Sequence, residues 1–257
     1  MHREKKSSGM KIVWIIVAIV VVVLAGGGIW YGVQANNARV RTEQAAKKKA
    51  AAASSSKKRA AALSRSEALA SSQAAADPLY GKLKQYGLTY PELQYAKTMP
   101  ITFVGDSVML GSESFLKEIF PKMNMEADVS RQAYGAPAVI KKLSGESKLA
   151  DTVVLGVGTN GAFTANTTKE IMTALGTKRT VFWINVHVPS QSWESDSNKQ
   201  IAAAADKYKN VHLIDWYSTA KGHSDWFAAD SFHPNTTGQP HYYTLVAKQV
   251  LQTMTKK

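Results

Sequence analysis

The chain is 257 residues long, contains no cysteine and carries a formal net charge of +13. Without cysteine there is no disulfide framework, no thiolate zinc site and no cysteine nucleophile. The charge is unevenly placed: residues 36–76 carry +7 and residues 77–257 only +3, which argues against a nucleic-acid-binding fold and for contact with an anionic surface.

Residues 1–11 form a short basic tail with Arg3, Lys5, Lys6 and Lys11. Residues 12–31 follow as IVWIIVAIVVVVLAGGGIWY, without a charged side chain. Twenty helical residues at about 1.5 Å each cover roughly 30 Å, the thickness of a bilayer's hydrocarbon core, so this stretch predicts one transmembrane helix. The basic tail, with Trp30 and Tyr31 at the far interface, orients the N-terminus to the cytoplasm and the remainder outside the cell. A cleaved signal peptide competes with that reading, because Val33-Gln34-Ala35 has the small-residue spacing of a cleavage site; the length of the apolar run favours an uncleaved anchor. Residues 32–76 are a low-complexity linker, nearly all Ala, Ser, Lys, Arg and Gln beyond residue 36. Such a composition cannot bury a core and is expected to be a solvated spacer, either disordered or a lone Ala-rich helix. Its positive charge suits anionic lipid headgroups or wall polymers.

From Asp77 to Lys257 the composition becomes globular and is long enough for one core. Leu79, Leu83, Tyr86 and Leu88 predict a short helical lead-in. Strands are expected over 101–105, 125–130, 152–158, 180–188 and 211–216, and helices over 108–120, 136–143, 167–175, 192–207 and 239–254. Strands that are apolar throughout and alternate with helices describe an α/β domain, a parallel five-stranded sheet with helices on both faces. Ligands in such sheets gather at the carboxyl ends of the strands.

Those ends carry Gly105-Asp106-Ser107, Ser130-Arg131-Gln132 and Gly158-Thr159-Asn160-Gly161, with Asp230 and His233 just before the last helix. A serine hydroxyl needs a base to take its proton, and the base works best when a carboxylate fixes its tautomer; Ser107, His233 and Asp230 supply those roles. Singly, each has a plain structural explanation: Ser107 as a helix cap, Asn160-Gly161 as a turn, His233 and Asp230 as loop residues. Their joint placement at successive strand ends favours a site. His187, His212, His223 and His241 show no paired ligand spacing and no phosphate-binding glycine loop follows the first strand, so neither a metal nor a cofactor is expected. Trp193, Trp226 and Phe227 suit either stacking on sugar rings or the edge of a core.

These blocks resemble the SGNH (GDSL-like) hydrolase superfamily over roughly residues 99–254. The stretches GDSVMLGS, VSRQAYG, VLGVGTNG and DSFHPNTTGQPHYYTLV look most like the extracellular domain of bacterial peptidoglycan O-acetyltransferases. The resemblance implies an SGNH or flavodoxin-like three-layer sandwich. It implies Ser107 as nucleophile, His233 as general base and acid, and Asp230 as its orienting partner. The oxyanion hole would be the Ser107 N–H, the Asn160 side-chain amide and one backbone N–H after the second strand. Ser130 stands nearest that strand end and Gly135 lies five residues on; both remain candidates. Gly135 and Trp193 are further candidates for substrate contact, although Gln191 and Ser192 stand where such acetyltransferases often carry an arginine ahead of that tryptophan. The expected activity is acyl transfer to a cell-wall glycan or other surface polymer. Hydrolysis of an acetylated carbohydrate or glycopolymer is the alternative, and a silent wall-binding protein the second. Because the family's acetyltransferases usually carry a many-helix membrane domain, the single span here implies a separate membrane acyl-donor protein as partner.

Overall fold

A computed structural model describes residues 8–255, with side chains described from residue 39 onward and at a few positions before it. The expected span at 12–31 and the small-residue motif at 33–35 therefore fall almost wholly outside the described side chains. Among the described residues no helix is long and apolar enough to cross a membrane. The backbone forms one long helix, α1 (Ser8–Ala76). Its 39–71 stretch is exposed throughout, including Val40, Leu63 and Leu69, so alanine's helix propensity rather than tertiary packing sustains it. The hydroxyls of Thr42, Ser55, Ser64 and Ser66 each donate to the carbonyl three residues back, which keeps these polar groups from competing with the helix.

The second unit, residues 72–257, is a compact α/β domain. Asp77 caps α2 (Pro78–Leu83) by accepting from the Leu79 and Tyr80 N–H groups. Thr89 and Glu92 form a reciprocal capping box on α3 (Tyr90–Ala96). Leu83, Leu88 and Leu93 of this lead-in are buried in the core.

The five strands β1 (Ile101–Gly105), β2 (Met123–Ala127), β3 (Thr152–Gly156), β4 (Thr180–Ile184) and β5 (Val211–Ile214) form one sheet in the order β2-β1-β3-β4-β5. Every pairing is parallel. Central β1 and β3 are buried at every position, while β2 and β5 are partly exposed edges. Alternate residues divide between two cores, as the two-residue repeat of a strand requires. Ile101, Phe103, Val154, Phe182 and Ile184 face one, with α3, α5 (Glu113–Ile119) and α10 (Gly238–Met254). Val104, Val153, Leu155, Val181 and Trp183 face the other, with α6 (Ala136–Gly145), α7 (Ala165–Leu175) and α8 (Glu194–Lys207).

Several expected boundaries move. The second strand starts at Met123 and ends at Ala127 rather than covering 125–130, because its register runs from Ile101 opposite Met123 to Gly105 opposite Ala127. The chain then turns away at Ser130, whose φ is 59°. The helix expected over 108–120 is two pieces, α4 (Ser107–Leu110) and α5, parted at Gly111-Ser112, where the Ser112 φ/ψ of −103°/6° departs from helical values. The strands expected to 158, 188 and 216 stop at 156, 184 and 214. The residues beyond them are loop or short helix, including α9 (Trp216–Ala220).

Candidate active site

The corner at the end of β1 is made by two glycines and a methionine. Gly105 and Gly156 are paired across β1 and β3, and the Met109 side chain lies on both. A Cβ on Gly105 would come within 2.4 Å of the Met109 sulfur, and one on Gly156 within 2.6 Å of its terminal methyl. Without side chains at those two places, α4 settles directly on the sheet and Ser107 stands at its first turn. Asp106, 1% exposed, fixes the start of that turn. One carboxylate oxygen accepts from the Val108 N–H at 3.1 Å and the other from the Thr159 N–H at 3.3 Å. Burial pushes the Asp106 carboxyl up to about 6, against the hydrogen bonds from Thr159 and Val108.

His233 arrives from a loop strapped at its base. Phe227 and Pro234 bridge in antiparallel fashion, the Ala228 N–H donates to the His233 carbonyl, and the Asn235 N–H donates to the Trp226 carbonyl. The Asn235 side chain donates to the carbonyls of Asp225 and Phe227 and accepts from the N–H groups of Thr237 and Gly238 at the head of α10. Trp226 is stacked between the rings of His223 and His241, each at 3.8 Å. Within the loop Ser231 takes a positive φ of 68°, a strained conformation for a non-glycine residue. That turn lets one Asp230 oxygen accept from the N–H groups of Phe232 and His233. The other lies 2.7 Å from His233 Nδ1. Burial raises the Asp230 carboxyl, but the hydrogen bonds from His233 and Phe232 outweigh it and hold it below its ordinary value.

His233 Nε2 lies 2.8 Å from Ser107 Oγ. A nitrogen facing a carboxylate carries the proton, so Nδ1–H donates to Asp230 and the Nε2 lone pair is left to accept from the Ser107 hydroxyl. The His233 and Asp230 side chains are 36% and 39% exposed, so water and substrate can reach the pair.

The remaining sequence candidates lie around the loop after β3. The Asn160 side-chain amide donates to the Arg131 carbonyl at 3.3 Å, one residue from Ser130. Asn160 is also the neighbour of Thr159, which bonds Asp106, itself the neighbour of Ser107. The N–H groups of Ser107 and Ser130 donate to nothing among the described residues. The Gly135 N–H donates to the Gln132 carbonyl at 3.0 Å, closing the turn at 133–135, and so is taken. Trp193 is half-buried, and its indole N–H donates to the Thr159 carbonyl at 3.0 Å. Trp226 and Phe227 are buried in the core. Among the described residues no group of three or more His, Asp or Glu side chains is placed to hold a metal ion.

No family model matches the chain. Over 146 residues it is 37% identical to the peptidoglycan O-acetyltransferase OatA of Listeria monocytogenes, covering 56% of this chain and 22% of that protein. Over 162 residues it is 33% identical to the O-acetyltransferase OatA of Staphylococcus aureus, covering 63% of this chain and 26% of that protein. The chain thus spans about a quarter of the length of the curated relatives it matches. Among solved structures it is similar to the C-terminal catalytic domain of Streptococcus pneumoniae peptidoglycan O-acetyltransferase A, solved with a methylsulfonyl adduct. The TM-score is 0.54 at 22% identity, with 62% of this chain and 95% of that one covered. The fold is SGNH-like.

Within this SGNH-like domain, three supporting residues escape a reading of the sequence. Asp106 looks like a helix cap, and nothing local tells that its second oxygen reaches Thr159. Gln132 contacts the loop after β3, 28 residues away. Asn235 gave a usable signal, an asparagine just before a helix, but its hold on the His233 loop is a tertiary fact.

Proposed function

We propose that the domain is a serine O-acyltransferase of SGNH type that forms an acyl-enzyme on Ser107 and passes an acetyl group to a cell-wall glycan such as peptidoglycan. The observation that carries this reading is the unbroken hydrogen-bonded line from Ser107 Oγ through His233 to Asp230. The similarity to the two OatA proteins supports the choice of acyl group, and that to the Listeria monocytogenes protein supports the choice of acceptor.

In the first half-reaction His233 Nε2 takes the Ser107 proton as Oγ bonds to the acyl carbonyl carbon. The carbonyl electron pair moves onto oxygen, where the Ser107 and Ser130 N–H groups and the free N–H of the Asn160 amide stabilise it. The intermediate collapses, the donor's ester C–O bond breaks, and the leaving alcohol takes the proton from His233. In the second half-reaction a glycan hydroxyl gives its proton to His233 and attacks the acyl carbon, and Ser107 leaves with that proton. Asp230 keeps its negative charge throughout and stabilises the imidazolium formed in each half-reaction. The exposure of His233 and Asp230 favours one second reading, an O-acetylesterase in which water takes the acceptor's place.

Two arms test the proposal. Purified protein is given an activated acetyl ester with and without a glycan oligomer: acetylated oligomer formed at the expense of free acetate is expected, whereas acetate release indifferent to glycan supports the esterase. A sulfonyl fluoride should label Ser107 and no other residue, and Ser107→Ala should abolish both labelling and turnover. Turnover surviving in that variant overturns the serine mechanism.

The apolar stretch at 12–31 supports a membrane span with the domain outside the cell and the linker as spacer. Protease added to intact cells should remove the domain, and alkaline carbonate should leave residues 1–35 in the membrane fraction. Release of the whole chain by carbonate counts against the anchor.

A further inference from the structure

Two loops that leave non-adjacent strands are tied to each other. The sheet places β1 between β2 and β3, so the loops after β2 and β3 flank the end of β1, where Ser107 stands. They are joined by a reciprocal pair of hydrogen bonds. The Asn160 amide donates to the Arg131 carbonyl at 3.3 Å. The Gln132 amide donates back to the Asn160 carbonyl at 2.6 Å. The fit is close: Gly161 has a φ of 151°, and a Cβ there would come within 2.8 Å of the Gln132 side-chain oxygen. Glycine is therefore needed at 161 both for its backbone and for the glutamine lying over it.

An Asn side chain has two N–H donors on one nitrogen. With one committed to the Arg131 carbonyl, the direction of the other is set by where the Asn160 backbone sits, and the Gln132 bond holds that backbone. Ser130, the residue before Arg131, carries the free N–H proposed as a second donor to the oxyanion. We propose that Gln132 is a positioning residue: its bond to the Asn160 carbonyl locks the Ser130 and Asn160 donors into one unit, so that the oxyanion hole is set before substrate binds. This rests on the serine acyl-transfer reading. It adds a residue that touches neither substrate nor the reacting atoms.

A pre-set hole acts in the transition state, so loss of the lock lowers kcat and leaves KM. Gln132→Leu keeps the bulk of the side chain and removes the donor. In turnover of a small activated acetyl ester, this variant should lose about tenfold or more in kcat with KM within about twofold, a fraction of what loss of a whole oxyanion donor costs. In an Asn160→Ala background the same change should cost clearly less, because one of the two donors it positions is already gone. A Gln132→Leu protein that is folded and keeps full kcat overturns the proposal, as does an equal loss in both backgrounds. An amide NMR spectrum supplies a readout independent of turnover. The Asn160 side-chain signals should shift and their hydrogen exchange should quicken by about tenfold or more in Gln132→Leu; unchanged signals overturn the lock. A native protein without ester turnover would overturn the enzyme reading, and with it the kinetic role of Gln132, while the Asn160 signals would still decide whether the bond holds the loop.

Discussion

At the scale of single residues, two aspartates around Ser107 have opposite electrostatic assignments. Asp230 is held low by donors, and on the proposed serine mechanism it keeps the charge that an imidazolium needs. Asp230→Asn should therefore lower turnover by about a thousandfold or more while the protein stays folded, because an amide at that place can donate to Nδ1 and favour the wrong tautomer; pre-steady-state ester kinetics would read the loss. Asp106 is raised to about 6 by burial. A carboxyl whose folded value lies above its unfolded value near 3.9 binds its proton more tightly in the folded chain. Its stabilising contribution is complete below about pH 4 and is lost as the pH rises through about 6. A difference of about two units corresponds to about 3 kcal/mol. Asp106→Asn is neutral throughout, so its melting temperature relative to the native protein should rise steadily between pH 4 and pH 7. A constant offset across that range would contradict the assignment. Asp230 works in the opposite sense and at lower pH, its contribution being lost on acidification, and it is common to both proteins.

At the scale of elements, the placement of α4 depends on the bare backbone beneath Met109. Gly156→Ala puts a methyl group where the Met109 side chain already lies. The substitution should cost about 1–3 kcal/mol in urea unfolding, the usual range for overpacking, and should lift Ser107 away from His233 and depress ester turnover. Adding Met109→Ala should restore much of the turnover, since the clash is with that side chain; no recovery would place the glycine's role elsewhere. The strands were legible in the sequence because their apolar runs alternate with helical patterns, and Ser107, Asn160, Asp230 and His233 were legible because they stand at strand ends or just before a helix. The break at Gly111-Ser112, the early start of β2 and the Gly105–Met109–Gly156 packing were not. Each depends on which partner a residue meets across the sheet, and a one-dimensional pattern does not carry that. The Gln132–Asn160 bond is hidden for the same reason.

At the scale of the whole molecule, the basic α1 segment and the α/β domain separate in composition and in contacts. A chain starting at Asp77 should melt within about a degree of the full-length protein, because the exposed 39–71 stretch buries no core side chain. A chain starting at Thr98 loses Leu83, Leu88 and Leu93, which are 2%, 2% and 0% exposed. At about 1.5–3 kcal/mol each, their loss removes a large share of a typical domain's stability, so this shorter chain should unfold at far lower temperature. Circular dichroism on the two truncations checks both. The hydrogen bond between Ser107 and His233 joins positions 126 residues apart, and α10, which packs the His233 loop's far end, is the last of the described helices. A growing polypeptide thus carries at residue 107 a hydroxyl with no base beside it until His233 has been made and its loop has folded back to the end of β1.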